Sequence, residues 1–377
     1  MSDEKPVRSR FRVGSGLTEV GSLGASTAGS LRRRRRRRKS GDNADPNVEQ
    51  DFRSIYLDEA STVIADDGVA LAVRTVRTGD RRVPPDLTVV FVHGFTLRMA
   101  AWHFQRFALE QRWADKNIEM VFYDQRGHGK SDPASAESCS IAQLGEDLDA
   151  VLRAVAPTGR VVLCGHSMGG MTVMALARSR PELFGFGGQV SGVALVSTTP
   201  RGLTENGLGE GLNNPVVDAL RMSVRYFPRV VQAGRGVTRQ VVQPVLAAAS
   251  FGPDYYSPAT EQAVESMIQN TSIATMVNFL HALESHDEST ALPILAQVPT
   301  VVMCGDSDRL TPLPNSLRMY SALGDDSRLV VGEGCGHMLP MEDPDLVTGA
   351  IVHLVDRSRL AVNRPKVQWL WGRDERA

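Results

Sequence analysis

The chain has 377 residues and a mass of 41.0 kDa, 42% of them hydrophobic, enough to bury one large domain or two. Its apolar runs, such as Leu87–Val92 and Val161–Cys164, are of strand length, far short of the ~20 residues of a membrane-spanning helix. The net charge of −1 is unevenly placed: the first 52 residues hold 12 basic and 7 acidic side chains, the remainder 30 and 36.

Residues 1–50 read as a disordered tail, rich in Gly, Ser, Thr and charge and without apolar periodicity. They lack the apolar stretch of a secretory signal. Arg32–Arg38 and Lys39 form a run of eight like charges. Two readings stay open for it. It is a solvated tail, or it makes weak electrostatic contact with anionic lipid or nucleic acid, without specific nucleic-acid recognition. Cys139, Cys164, Cys304 and Cys335 have no metal-type spacing and read as reduced thiols of a cytoplasmic protein, one that the basic run places at most peripherally on a membrane. No cofactor- or metal-binding motif is visible, and the sequence leaves the oligomeric state open.

From Phe52 onward strands and helices alternate. Ser61–Ala65 and Val69–Val76 read as strands of a hairpin turning through Asp66-Asp67-Gly68. Leu87–Val92 reads as a buried strand, Met99–Trp113 as a helix and Ile118–Tyr123 as a strand. Ile141–Val155 reads as a helix with Ser138 or Ser140 as its cap. The Val161–Cys164 strand, a helix from Met171 to Arg180 and a strand Val190–Ser197 follow. The pattern breaks over 199–295, a Gly-rich loop followed by amphipathic helices, and resumes with a strand Thr300–Cys304, a helix from Pro314, a strand near Arg328–Val331 and a helix Pro344–Val355. This predicts an α/β protein with a mostly parallel, mixed central sheet flanked by helices. The core comprises 51–198 and 296–358, 199–295 form a helical lid over the carboxyl ends of the strands, and 359–377 form a C-terminal tail.

Between the Val161 strand and its helix stands Gly165-His166-Ser167-Met168-Gly169-Gly170. A G-x-S-x-G sequence at a strand-to-helix turn is a nucleophile elbow, with a serine raised into a pocket and helix N–H groups aimed at it. A serine hydroxyl needs a base, and the base an orienting acid. Downstream, after predicted strands, lie Gly305-Asp306-Ser307-Asp308 and Gly336-His337-Met338.

These blocks, with His93-Gly94-Phe95 and Asp124-Gln125-Arg126-Gly127-His128-Gly129-Lys130-Ser131, resemble the α/β-hydrolase family in its serine hydrolase branch with a helical lid. The resemblance runs from about residue 55 to 358. It implies a Ser167–His337–Asp308 triad, with Asp306 the rival acid, and an oxyanion hole from the backbone N–H groups of Phe95 and Met168. His93-Gly94 is a single-glycine turn, not the H-G-G-G type. His166 is expected to point away from the nucleophile and pack, and His128 to serve a structural turn. Phe95, Trp102 and Met338 are candidate pocket walls.

The expected activity is hydrolysis of a small-molecule carboxylic ester with a small to medium apolar acyl group, through an acyl-enzyme. The apolar lid residues Met222, Tyr226, Phe227, Phe251, Tyr255, Tyr256, Met267, Met276 and Phe279 favour it. The same triad serves a cofactor-free haloperoxidase-like perhydrolase, or a lactone, thioester or C–C hydrolase. A non-catalytic receptor on the same fold is the reading from another class.

Overall fold

The computed structural model describes residues 44–201, 246 and 249–360. The chain divides into two units, residues 1–45 and 46–377, and the α/β fold is that of the second. The basic run at 32–39, the lid residues Met222, Tyr226 and Phe227, and most of the C-terminal tail lie outside the described residues.

Eight strands form one sheet: β1 (Glu59–Ile64), β2 (Ala70–Arg77), β3 (Leu87–Val92), β4 (Ile118–Tyr123), β5 (Arg160–His166), β6 (Val190–Val196), β7 (Thr300–Gly305) and β8 (Ser327–Gly332). Their order is β1-β2-β4-β3-β5-β6-β7-β8. β2 pairs antiparallel with β1 and β4, and all other pairs are parallel. The hairpin turns through Gly68 at φ +90°, with its N–H donating to Ala65 O at 2.8 Å.

The helices are α1 (His103–Arg112), α2 (Ile141–Val155), α3 (Met168–Ser179), α4 (Pro258–Asn270), α5 (Ile273–Ser285), α6 (Leu292–Leu295), α7 (Leu313–Leu323), α8 (Leu339–Glu342) and α9 (Pro344–Leu360). Ser140 is the cap of α2, accepting from Gln143 N at 3.1 Å.

Strand side chains alternate between faces, and both faces of this sheet are covered. Val89, Phe91, Val162, Cys164, Ala194 and Val196 pack with α1 and α9. Val90, Val92, Leu163, Val193, Leu195 and Val302 pack with α2, α3 and α7. Hence β3 reads as an unbroken apolar run, and every one of its residues is buried.

Two differences from the sequence reading have local causes. Met99–Trp102 forms a separate 3₁₀ turn before α1, its entry fixed by Met99 N–H donating to the Asp124 carboxylate at 2.8 Å. And α3 starts at Met168 rather than Met171, because the elbow glycines are themselves its first turn. The four cysteines are buried free thiols. Among the described residues no helix is long and apolar enough to cross a membrane.

Candidate active site

In the parallel part of the sheet the chain leaves β3, β5, β7 and β8 at one edge, where ligands of open α/β sheets bind. Four loops meet there, carrying Phe95, Ser167, Asp308 and His337.

The elbow is shaped by close backbone approach. A Cβ on Gly165 would lie 2.5 Å from Gly169 O, and one on Gly169 would lie 2.2 Å from Val92 O. No larger residue fits either position. Ser167 itself sits at φ 54°, ψ −121°, a strained conformation that persists only where the surroundings over-determine it. They do so here: Ser167 N–H donates to Val196 O at 2.9 Å, and Thr198 Oγ1 donates to Ser167 O at 2.7 Å.

Ser167 Oγ lies 2.9 Å from His337 Nε2, within hydrogen-bond reach of a base. On the far side of the ring His337 Nδ1–H reaches Asp308 Oδ2 at 2.9 Å and Oδ1 at 3.1 Å. Asp308 is buried and accepts from Leu310 N, Thr311 N and Thr311 Oγ1 at 2.8–3.0 Å. Burial pushes its carboxyl upward, but the imidazole of His337 and the Thr311 donors outweigh that and hold it below the ordinary aspartate value. Asp306, the rival acid, is exposed and accepts from Gly334 N at 2.8 Å and Ser307 Oγ at 3.0 Å, bracing the neighbouring loop.

Ser167 N–H is already bonded, and Phe95 N–H and Met168 N–H donate to no other described atom. Phe95 and Ser167 both line the cavity described below, and Met168 directly follows Ser167 in the chain. The Phe95 loop is braced by two buried histidines. His93 Nε2 accepts from Gln125 N at 2.9 Å while its Nδ1–H donates to Gly94 O at 2.8 Å. His128 Nε2 accepts from Thr96 N at 3.2 Å while its Nδ1–H donates to Arg126 O at 2.9 Å. Burial keeps both neutral, pushing His93 down to about 4 and His128 down to about 3.

A cavity of about 40 Å³ opens at Ser167, room for a few water-sized groups. Phe95, Met171, Leu283, Leu310 and Met338 are among its walls, with Thr96, Ser250 and Thr311 as polar lining residues beside Ser167 and His337. Trp102, a candidate wall in the sequence, is not one. It is fully buried behind the site, edge-on to Phe91 at 5.3 Å and to His166 at 6.3 Å, because the 3₁₀ turn aims it under the sheet. Of the lid residues singled out in the sequence, Met267, Met276 and Phe279 are core; Leu246, Ile268 and Leu283, which the sequence reading did not name, line the cavity.

His166 packs away from the nucleophile but does more than pack: its Nε2–H donates to His337 O at 2.9 Å. That bond, the Thr311 hydroxyl and the Glu342 carboxylate were not legible in the sequence, where neither the 171-residue separation of His166 from His337 nor the 90-residue separation of Gly252 from Glu342 leaves a local pattern.

The family described as serine aminopeptidase, S33 matches over residues 83–344. The chain belongs to this family of α/β hydrolases. The "Putative carbamate hydrolase RutD" of Escherichia coli O127:H6 is 25% identical over 242 residues, covering 63% of this chain and 82% of that protein. Among solved structures, an esterase from Exiguobacterium antarcticum superposes with a TM-score of 0.65 at 21% identity, covering 79% of this chain and 100% of that one. A bromoperoxidase from Bacillus anthracis gives 0.64 at 19% identity, with the same coverage. At such identities the structural likeness carries the fold, and the fold hosts many reactions.

Proposed function

We propose that this α/β hydrolase is a serine esterase that cleaves carboxylic esters of small to medium apolar acyl groups. The observation that carries the reading is the Ser167–His337–Asp308 relay, with contacts of 2.9 Å on both sides of the imidazole, opening on an apolar cavity.

His337 takes the Ser167 proton while Asp308 holds the tautomer. Ser167 Oγ then attacks the acyl carbon, and the Phe95 and Met168 amides receive the negative charge on the carbonyl oxygen. The alkoxide leaves with the proton from His337. Water, deprotonated by the same ring, attacks the acyl-enzyme and frees the acid. An aminopeptidase would have to compensate a substrate ammonium, and the described cavity walls hold no carboxylate. A neutral ester fits them better. The carbamate hydrolase likeness keeps a second reading open on the same triad, since a carbamate presents the same carbonyl to Ser167.

A fluorophosphonate probe is expected to label the wild type and not Ser167→Ala. p-Nitrophenyl esters of increasing chain length should be cleaved best at short acyl chains. Ser167→Ala should lose about five orders of magnitude in kcat without loss of Tm. A Ser167→Ala protein with wild-type turnover overturns the scheme, and an aryl carbamate cleaved faster than the matched ester transfers it to carbamates.

A further inference from the structure

His337 is the base, yet its ring contacts alone do not fix where its backbone stands. Three bonds do so. His166 Nε2–H donates to His337 O, as above. Met338 N–H donates to Ser250 O at 2.8 Å. Gly336 N–H donates to Glu342 Oε1 at 2.8 Å. The same carboxylate takes a second main-chain donor with its other oxygen: Gly252 N–H reaches Glu342 Oε2 at 2.8 Å.

Glu342 is buried, 4% exposed, and a buried carboxylate is costly unless hydrogen-bonded. It ends the one-turn helix α8, which starts two residues after His337. A helical Cα–Cβ bond tilts toward the N-terminus, so the side chain folds back over its own turn to the loop that carries the base. The partner segment, Phe251-Gly252, comes from a different part of the chain, within residues 199–295. The two backbones touch: a Cβ on Gly252 would lie 2.1 Å from Gly334 O. Phe251 and Tyr255 stack at 4.8 Å beside this seam, and Tyr255 Oη donates to Met341 O at 3.4 Å.

We infer that Glu342 is a positioning residue for His337, its carboxylate bridging Gly336 N–H and Gly252 N–H so that the Phe251-Gly252 segment sets the height of the base over Ser167. The inference rests on the esterase reading for its kinetic arm only. One carboxylate accepts from two amides, whereas a carboxamide presents one oxygen and would turn its NH₂ toward the other N–H. A carboxamide therefore leaves the side chain's shape and breaks one half of the bridge. A displacement of the base by a fraction of an ångström lowers the rate far more than it changes the shape of the cavity that His337 borders.

The test compares wild type with Glu342→Gln and Glu342→Asp. Competent sites are counted with a fluorophosphonate, and turnover of p-nitrophenyl acetate is expressed per counted site. Glu342→Gln should lower kcat about 10- to 100-fold with KM within about twofold of wild type. Glu342→Asp, which keeps the charge on a shorter stem, should fall between the two. The low-field proton resonance of His337 Nδ1–H should shift or broaden in Glu342→Gln, a readout that needs no ester activity and still reports on Glu342 if the wild type proves not to be an esterase. A folded Glu342→Gln protein with wild-type kcat per site and an unmoved resonance would make Glu342 a packing residue and overturn the inference. If neither variant folds, amide exchange in the wild type decides: Gly336 and Gly252 opening together supports the bridge, and Gly252 opening independently removes it.

Discussion

Ser167 and His337 face each other across 2.9 Å, but the two loops that carry them are built by opposite means. The serine loop is closed by what is missing. Gly165 and Gly169 let the turn fold onto Val92 and onto itself, and nowhere in that contact would a Cβ fit. The histidine loop is held by what is added: a carboxylate from α8, a carbonyl from Ser250, an imidazole from His166 and a carboxylate from Asp308. Steric closure is stiff and local, while a set of hydrogen bonds can be adjusted one at a time. The elbow glycines should therefore answer substitution with loss of stability, and the contacts of the histidine loop with loss of rate.

The largest effect that tests this contrast is at the acid. Asp308→Asn keeps the shape of the side chain and most of its contacts but no longer specifies the tautomer of His337. kcat should fall by about 10⁴ with little change in Tm. Asp306→Asn, two residues before Asp308 and outside the relay, keeps an amide oxygen that can accept from Gly334 N–H and should stay within about threefold of wild type in kcat. Reversed magnitudes in the same ester assay would move the acid to Asp306 and break the geometry drawn here.

Next comes the serine side. Gly169→Ala drives a methyl to 2.2 Å from Val92 O, against main chain in the middle of the sheet edge, where nothing can yield. It should destabilise the protein by about 3 kcal/mol, read as a lower urea midpoint at unchanged m. Activity per folded molecule is lost with it. An alanine variant with wild-type stability and reduced kcat would show that the elbow, too, is tuned rather than closed.

The same contrast decides what the sequence could disclose. The elbow lies in six consecutive residues whose types are dictated by sterics, and the strand–helix alternation around it follows from side-chain period, so both could be read in order along the chain. Asp308 and His337 were expected from the resemblance to the α/β-hydrolase family, with Asp306 as the rival acid. Glu342, Thr311 and His166 could not be read in that way. Their meaning depends on which backbone amide, carboxylate or carbonyl happens to face them, and Gly252 is 90 residues from its partner. Trp102 failed for a related reason: an aromatic next to a site looks the same in sequence whether a turn aims it at the cavity or under the sheet.

The smallest effect concerns the loop of Phe95, which belongs to neither extreme, being held by bonds to rings that must stay uncharged. His128 accepts from Thr96 N–H with Nε2, so a proton on that atom removes the acceptor. Burial holds His128 down to about 3, while the unfolded chain takes up its proton near the ordinary value of about 6.5. Between these values the unfolded state binds one more proton than the folded state, so stability falls as the pH falls, by about 1.4 kcal/mol per pH unit for this residue. Above about 6.5 both states are neutral and the contribution is level. His128→Gln, whose amide oxygen can accept from Thr96 N–H, should remove that one proton from the balance. Urea unfolding at intervals from pH 6.5 down to 5 should then show the slope of stability against pH shallower in the variant than in wild type, by a difference that grows toward about 1.4 kcal/mol per unit as the pH approaches 5. Parallel slopes would mean that His128 is already protonated in the fold, and the Phe95 amide would have to be held in place by His93 and Gln125 alone.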